Sequence, residues 1–173
     1  MDNFMPDMYK KSIYDIDYNK LQRQGIKCLL FDLDNTISPV GNKNPSNKVI
    51  NLFEELKEMG FKLIIISNSH KKRLEPFKDI LNVDCAALSF KPLKRKYLKI
   101  IREYGFDESE IAMIGDQFLT DIWGGNRVGI TTILVNPISK KDVMFTKLNR
   151  FIEHKIMKKL SKQGLFKKGK YYG

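Results

Sequence analysis

The stretch Ile26-Lys27-Cys28-Leu29-Leu30-Phe31-Asp32-Leu33-Asp34-Asn35-Thr36 decides how this chain is read. Its first half is a short apolar segment of buried-strand type. Its second half places two carboxylates and a hydroxyl where strand gives way to loop. In open α/β sheets, ligands bind at that position, outside the carboxyl ends of the strands. Two aspartates two residues apart beside an apolar strand repel each other and lose hydration unless a cation or proton intervenes. An Asx-turn that merely ends a strand is the bland alternative. The chemistry the pair suits is phosphoryl transfer through an aspartyl-phosphate. One carboxylate attacks phosphorus while the other carries a proton to the leaving group and takes one from water. Magnesium fits such a site because it favours carboxylate and phosphate oxygens.

Outward from this stretch, strand and helix patterns alternate. Ser46 caps a helix expected to run to Met59, with Val49, Leu52, Phe53, Leu56 and Met59 on one face and Gly60 as the stop. Phe61 to Ile66 reads as a second strand, leading into Ser67-Asn68-Ser69. A helix from about His70 to Leu81 follows, interrupted near Pro76. Asp84 to Leu88 reads as a weaker third strand. Lys91-Pro92 opens a helix to Tyr104, with Gly105 beyond it. Ile111 to Ile114 is a fourth strand, followed by Gly115-Asp116-Gln117-Phe118-Leu119-Thr120-Asp121. A helix through Ile122 and Trp123 reaches a turn at Gly124-Gly125-Asn126, and Ile130 to Val135 is the fifth strand. This alternation predicts a three-layer α/β fold around a mostly parallel five-stranded sheet with helices on both faces.

Residues 1–25 read as a wrapping segment with at most one short helix, 26–138 as the core, and 139–173 as a basic amphipathic helix and tail. The tail helix is placed at about Asp142 to Leu160, with Phe145, Leu148, Ile152, Ile156 and Leu160 as its apolar stripe. The formal net charge is +11. Residues 140–173 hold eleven Lys/Arg against Asp142 and Glu153, so they carry +9 of it. Such a patch attracts polyanions, either an anionic lipid surface or nucleic acid. No apolar run approaches the roughly 20 residues that cross a bilayer. The sequence begins with acid and proline where a signal peptide has an apolar run. The expected location is therefore the cytoplasm, with peripheral contact at the inner face of the membrane. Cys28 and Cys85 read as reduced core thiols.

Three expected strands thus end in complementary groups: Asp32 and Asp34, then Ser67 and Asn68, then Asp116 and Asp121. Lys91 stands before the fourth. If those strands are neighbours, the groups meet at one mouth of the sheet. A third carboxylate completes a magnesium site with Asp32. A hydroxyl, backbone amides and one ammonium hold a phosphate dianion.

In this arrangement the sequence resembles the haloacid dehalogenase (HAD) superfamily of phosphatases. Asp-Leu-Asp-Asn-Thr, Ser67, Lys91 and Gly115-Asp116 with Asp121 resemble its four motifs. Lys91-Pro92-Leu93, Gly115 to Asp121, Gly124-Gly125-Asn126-Arg127 and Val135-Asn136-Pro137-Ile138 are similar to the YqeG subfamily of class IIIA. The resemblance implies a HAD-like Rossmannoid core without a large cap domain, and Mg2+ as cofactor. It implies Asp32 as nucleophile and Asp34 as general acid/base, the latter lending a backbone carbonyl to the metal. It implies Ser67, Asn68 and Lys91 as phosphate-binding, Asp116 as a metal ligand, and Thr36 and Asp121 as supports. Ser69 and Trp123 depart from the common family pattern; both are expected to lie clear of the chemical core but where they bear on what enters the mouth. Arg127 carries two readings, contact with a second phosphate or an ion pair.

The resemblance also implies a substrate, phosphatidylglycerophosphate, dephosphorylated to phosphatidylglycerol at a membrane surface. Other readings are a phosphatase for a nucleic-acid end, a phosphoprotein or a small metabolite, and an inactive scaffold whose tail binds RNA or ribosomes. No stable nucleic-acid partner is expected.

Overall fold

The structure, a computed structural model, describes residues 2–139 and 146–173. Six parallel strands form one sheet: β1 (Met8–Lys10), β2 (Cys28–Phe31), β3 (Lys62–Ile66), β4 (Asp84–Ala86), β5 (Ile111–Gly115) and β6 (Thr131–Val135). Their order is β1-β6-β5-β2-β3-β4. The helices are α1 (Tyr18–Arg23), α2 (Asn47–Glu58), α3 (Lys71–Leu81), α4 (Lys94–Tyr104), α5 (Trp123–Asn126) and α6 (Thr146–Lys162). No described helix is long and apolar enough to cross a membrane.

The sheet has six strands rather than the expected five. The sixth is β1, which pairs with β6 in the register Tyr9 to Leu134. Its sequence, Met8-Tyr9-Lys10, is too short for a period-2 pattern to show. Its far side is closed by Tyr172, which exchanges backbone hydrogen bonds with Tyr9 at 3.0 and 2.9 Å.

Alternation along β2 distributes the core. Leu29 and Phe31 face α2 and α3 through Val49, Phe53, Leu56, Leu74 and Phe77. Cys28 and Leu30 face α4 through Tyr97 and Ile100. Both faces of β2 are therefore covered, as a central parallel strand requires. Ser46 caps α2 by accepting the Val49 N–H.

Three helical expectations are corrected. α3 passes through Pro76 without a break. Proline there removes one intrahelical bond, from the carbonyl of exposed Lys72, and the buried side chains Leu74 and Phe77 hold the helix on either side. α4 begins at Lys94, so Lys91-Pro92 lies in the preceding loop, where the peptide bond between them is cis. Gly124 and Gly125 lie within α5 rather than in a turn. A Cβ on Gly125 would stand 2.6 Å from Thr132 Cγ2, so glycine serves close packing of helix on strand.

The basic C-terminal helix packs on the core. Leu160 and Phe166 are buried with Tyr9, Phe118 and Leu134. The docked face differs from the expected stripe: Ile152 is exposed, whereas Glu153 is buried and accepts the Leu119 N–H at 3.3 Å. Phe145 and the helix start near Asp142 lie outside the described residues.

Candidate active site

The register sets the site. Phe31 lies beside Ile65 on β3 and Ile114 on β5. Asp32, Ser67 and Asp116 therefore leave three adjacent strands at the same end of the sheet. The Asp32 N–H still donates to Ile114 O at 2.9 Å, extending the ladder one step. The chain then turns sharply. Asn35 takes φ 68°, in the left-handed region that asparagine tolerates, and its N–H donates to Ser38 O at 2.7 Å.

Lys91 comes from the far side of β3. Its loop crosses the end of that strand by two backbone bonds, Leu88 N–H to Ser69 O and Ser89 N–H to Ser67 O, each 3.0 Å. The Asn68 amide then grips the main chain of Lys91, accepting its N–H at 2.7 Å and donating to its carbonyl at 3.0 Å. This places the buried Lys91 ammonium 2.6 Å from Asp32 Oδ1 and 2.7 Å from Asp121 Oδ1. Thr36 Oγ1 lies 3.4 Å from Asp32 Oδ2 and 3.3 Å from Asp116 Oδ1.

Asp32, Asp116 and Asp121 offer carboxylate oxygens within 4.8 Å of one another, all buried. Burial raises the Asp32 carboxyl to about 8, and the charges of Asp121 and Asp116 add to that while Lys91 opposes it. Burial lowers the Lys91 ammonium, but Asp121 and Asp32 outweigh it, so Lys91 stays above the ordinary lysine range. Three buried carboxylates thus gather round the Lys91 ammonium. A hard divalent cation with oxygen ligands fits that donor set.

Asp121 is fixed from two sides. Its Oδ2 accepts the Gln117 N–H at 3.1 Å, across the π-helical turn Phe118–Ile122. Gly115 leaves it room, since a Cβ there would lie 2.2 Å from Oδ2.

Asp34 is directed elsewhere. Its Oδ1 pairs with Arg73 Nη2 at 2.8 Å, and its Oδ2 accepts from Ser69 Oγ at 3.0 Å. Ser69 therefore touches the site, contrary to expectation. Arg73 is a site residue that sequence reasoning misses; its only signal is a place in the first turn of the helix after Ser67. Asn68, expected to bind phosphate, spends its side chain on Lys91. Trp123 stays clear of the cluster. Its ring stacks on Phe4 with centroids 5.5 Å apart, and the Arg127 guanidinium lies 4.5 Å from its centroid. Among the described residues Arg127 makes that cation–π contact and no ion pair.

A model of the haloacid dehalogenase-like hydrolase family matches residues 40–129. The chain is 35% identical over 161 residues to a Bacillus subtilis protein named "Probable phosphatase YqeG", covering 93% of this chain and 94% of that one. This chain belongs to the haloacid dehalogenase-like hydrolases. Within that family it is a phosphatase. An Arabidopsis thaliana relative named phosphatidylglycerophosphate phosphatase 1 is 27% identical over 171 residues, which is 93% of this chain and 49% of that protein. The chain thus spans about half the length of that relative. Among solved structures, the 3-deoxy-D-manno-octulosonate 8-phosphate phosphatase of Yersinia pestis superposes with a TM-score of 0.53 at 20% identity, covering 68% of this chain and 69% of that one. The similarity is one of fold.

Proposed function

We propose that this HAD phosphatase removes the terminal phosphate of phosphatidylglycerophosphate at an anionic membrane surface, with Mg2+ and an aspartyl-phosphate intermediate. The observation that carries the chemistry is Lys91 shared between Asp32 and Asp121 beside Asp116. It gives one ammonium for phosphoryl oxygens, one buried carboxylate poised to attack, and clustered carboxylate oxygens that suit a divalent cation.

Asp32 attacks phosphorus, and the bond from phosphorus to the alcohol oxygen breaks. Asp34, turned from Arg73 toward the mouth, gives its proton to that oxygen. Asp34 then takes a proton from water, the water oxygen attacks phosphorus, and the bond to Asp32 breaks, freeing inorganic phosphate. Lys91 and the Ser67 hydroxyl hold the phosphoryl oxygens throughout. Asp32, Asp116 and the Asp34 carbonyl would hold Mg2+, which supplies charge neutralisation for the in-line displacement.

The lipid assignment is supported by the names of two relatives, from Arabidopsis thaliana and Chlamydomonas reinhardtii. It is supported also by the short connections beside the site. Among the described residues only α2 joins β2 to β3 and only α3 joins β3 to β4, so no cap domain shields the site. The test is phosphate release from phosphatidylglycerophosphate in vesicles, beside a panel of nucleotide, sugar and phosphopeptide substrates. Magnesium-dependent release by the wild type and none by Asp32→Asn is expected. Release from the panel but not from the lipid overturns the lipid assignment.

A further inference from the structure

Three large apolar side chains stand in water on the loop between β4 and α4. Leu88 is 40%, Phe90 65% and Leu93 58% exposed. At each, the backbone asks for another residue. Leu88 has φ 45° and Phe90 φ 51°, in the left-handed region where glycine and asparagine are favoured. Leu93 occupies the N-cap of α4 and makes no side-chain cap, where Ser, Thr, Asp or Asn would satisfy a free backbone N–H. None of the three belongs to a core cluster. Folding does not account for them.

The loop that displays them is nonetheless rigidly tied to the site. Besides the two bonds to Ser67 and Ser69, Ser89 Oγ donates to Ala86 O at 2.6 Å and Leu93 N–H to Phe90 O at 2.9 Å. Phe90 and Leu93 therefore flank Lys91-Pro92, whose ammonium lies in the carboxylate cluster. Behind them α4 carries Lys94, Arg95, Lys96, Lys99 and Arg102 against Glu103 alone. A groove of about 760 Å³ lies between the apolar tip and the cations Arg95, Lys99 and Arg102. No carboxylate pairs with Lys94, Arg95, Lys99 or Arg102 among the described residues.

We propose that loop 87–93 and α4 form a face that docks on an anionic lipid bilayer. Phe90 and Leu93 enter the interfacial region, the α4 cations lie at the lipid phosphates, and the mouth holding Lys91 is turned toward the membrane. A nucleic acid would engage the cations but leave the apolar tip wet. The orientation toward a lipid phosphate rests on the proposed substrate; the docking face does not. This puts membrane contact beside the active site, where the charge count alone points to residues 140–173.

The test is sedimentation of the full chain with vesicles of phosphatidylcholine alone and of phosphatidylcholine mixed with phosphatidylglycerol. The variants are Phe90→Asn with Leu93→Ser, and Arg95→Glu with Lys99→Glu. Wild type is expected to bind the mixed vesicles and not the neutral ones, and each double variant to lose at least about tenfold in affinity. The Phe90→Asn/Leu93→Ser protein is expected to keep or raise its thermal midpoint, because asparagine suits the left-handed backbone and serine the cap. It should also keep its Mg2+-dependent turnover of p-nitrophenyl phosphate. Wild-type-like vesicle binding by either variant, or binding of RNA with none to anionic vesicles, overturns the proposal. Vesicle binding without phosphate release from the lipid upholds the face and overturns the substrate; release from detergent-dispersed lipid without vesicle binding does the reverse.

Discussion

Arg73 Nη2 stands 2.8 Å from Asp34 Oδ1, so the second aspartate of the Asp32-Leu33-Asp34 stretch is held by α3 and not by the carboxylate cluster. Two acids close in sequence thus live in different charge environments. Asp32 shares the Lys91 ammonium, whereas Asp34 shares a guanidinium and the Ser69 hydroxyl. The pairing fixes the Asp34 carboxylate against the first turn of α3.

Arg73→Lys removes the planar fork and leaves the charge. The expected result is a fall in kcat of roughly tenfold to a hundredfold, with KM changed little, since misplacing a catalytic group by an ångström costs about that much. Steady-state hydrolysis of p-nitrophenyl phosphate reads it. An unchanged kcat would remove Arg73 from any positioning role.

Lys91→Met leaves Asp32 and Asp121 buried without their cation. Loss of one partner from a buried pair costs about 3–5 kcal/mol. Urea denaturation is expected to show a loss of that order in metal-free buffer. Adding Asp121→Asn to Lys91→Met should restore part of it, because one uncompensated charge goes with the carboxylate.

The raised Asp32 carboxyl makes a signed prediction about pH. The folded metal-free protein holds a proton that the unfolded chain, with an ordinary carboxyl near about 3.9, has released. Stability therefore falls as pH rises from that ordinary value toward about 8. Binding Mg2+ favours the ionised form and should flatten the slope. Thermal midpoints across that range, with EDTA and with Mg2+, test it; parallel slopes would exclude cation binding at Asp32.

Gly115→Ala drives a methyl group into Asp121, whose Oδ2 would lie 2.2 Å away. The carboxylate must leave Lys91 or the Gln117 N–H. Overpacking of this kind costs about 1–3 kcal/mol. Loss of phosphatase turnover together with a lowered urea midpoint is expected, and a variant with wild-type turnover would show that Asp121 has no part in holding Lys91.

Features that depend on local pattern are legible in the amino-acid order alone. The strands at 28–31, 62–66, 111–115 and 131–135 form on short runs rich in apolar and β-branched residues, each ending at a polar residue or a glycine-polar turn. Asp32, Lys91, Asp116 and Asp121 meet because the strands that carry or precede them end side by side. What pattern does not show depends on partners distant in the chain. The edge strand Met8–Lys10 exists because β6 and Tyr172 supply its hydrogen bonds. The continuity of α3 through Pro76 depends on the core beneath it, since packing on both sides offsets one missing bond. The docked face of α6 turns on Glu153, a charge that periodicity assigns to solvent and that a backbone N–H of the π-helical turn draws inward.

By itself, then, the sequence determined the α/β alternation and the acids and hydroxyl that follow its strands, because strand and helix periods and the chemistry of crowded carboxylates are local properties. Only the tertiary structure decided that Lys91 lies between Asp32 and Asp121, that Arg73 and Ser69 hold Asp34, and that Phe90 and Leu93 stand exposed beside the mouth. Those facts follow from strand order and from a loop crossing the end of β3. A sheet brings together residues separated by 59 and 30 positions, and no spacing along the chain encodes which ends become neighbours.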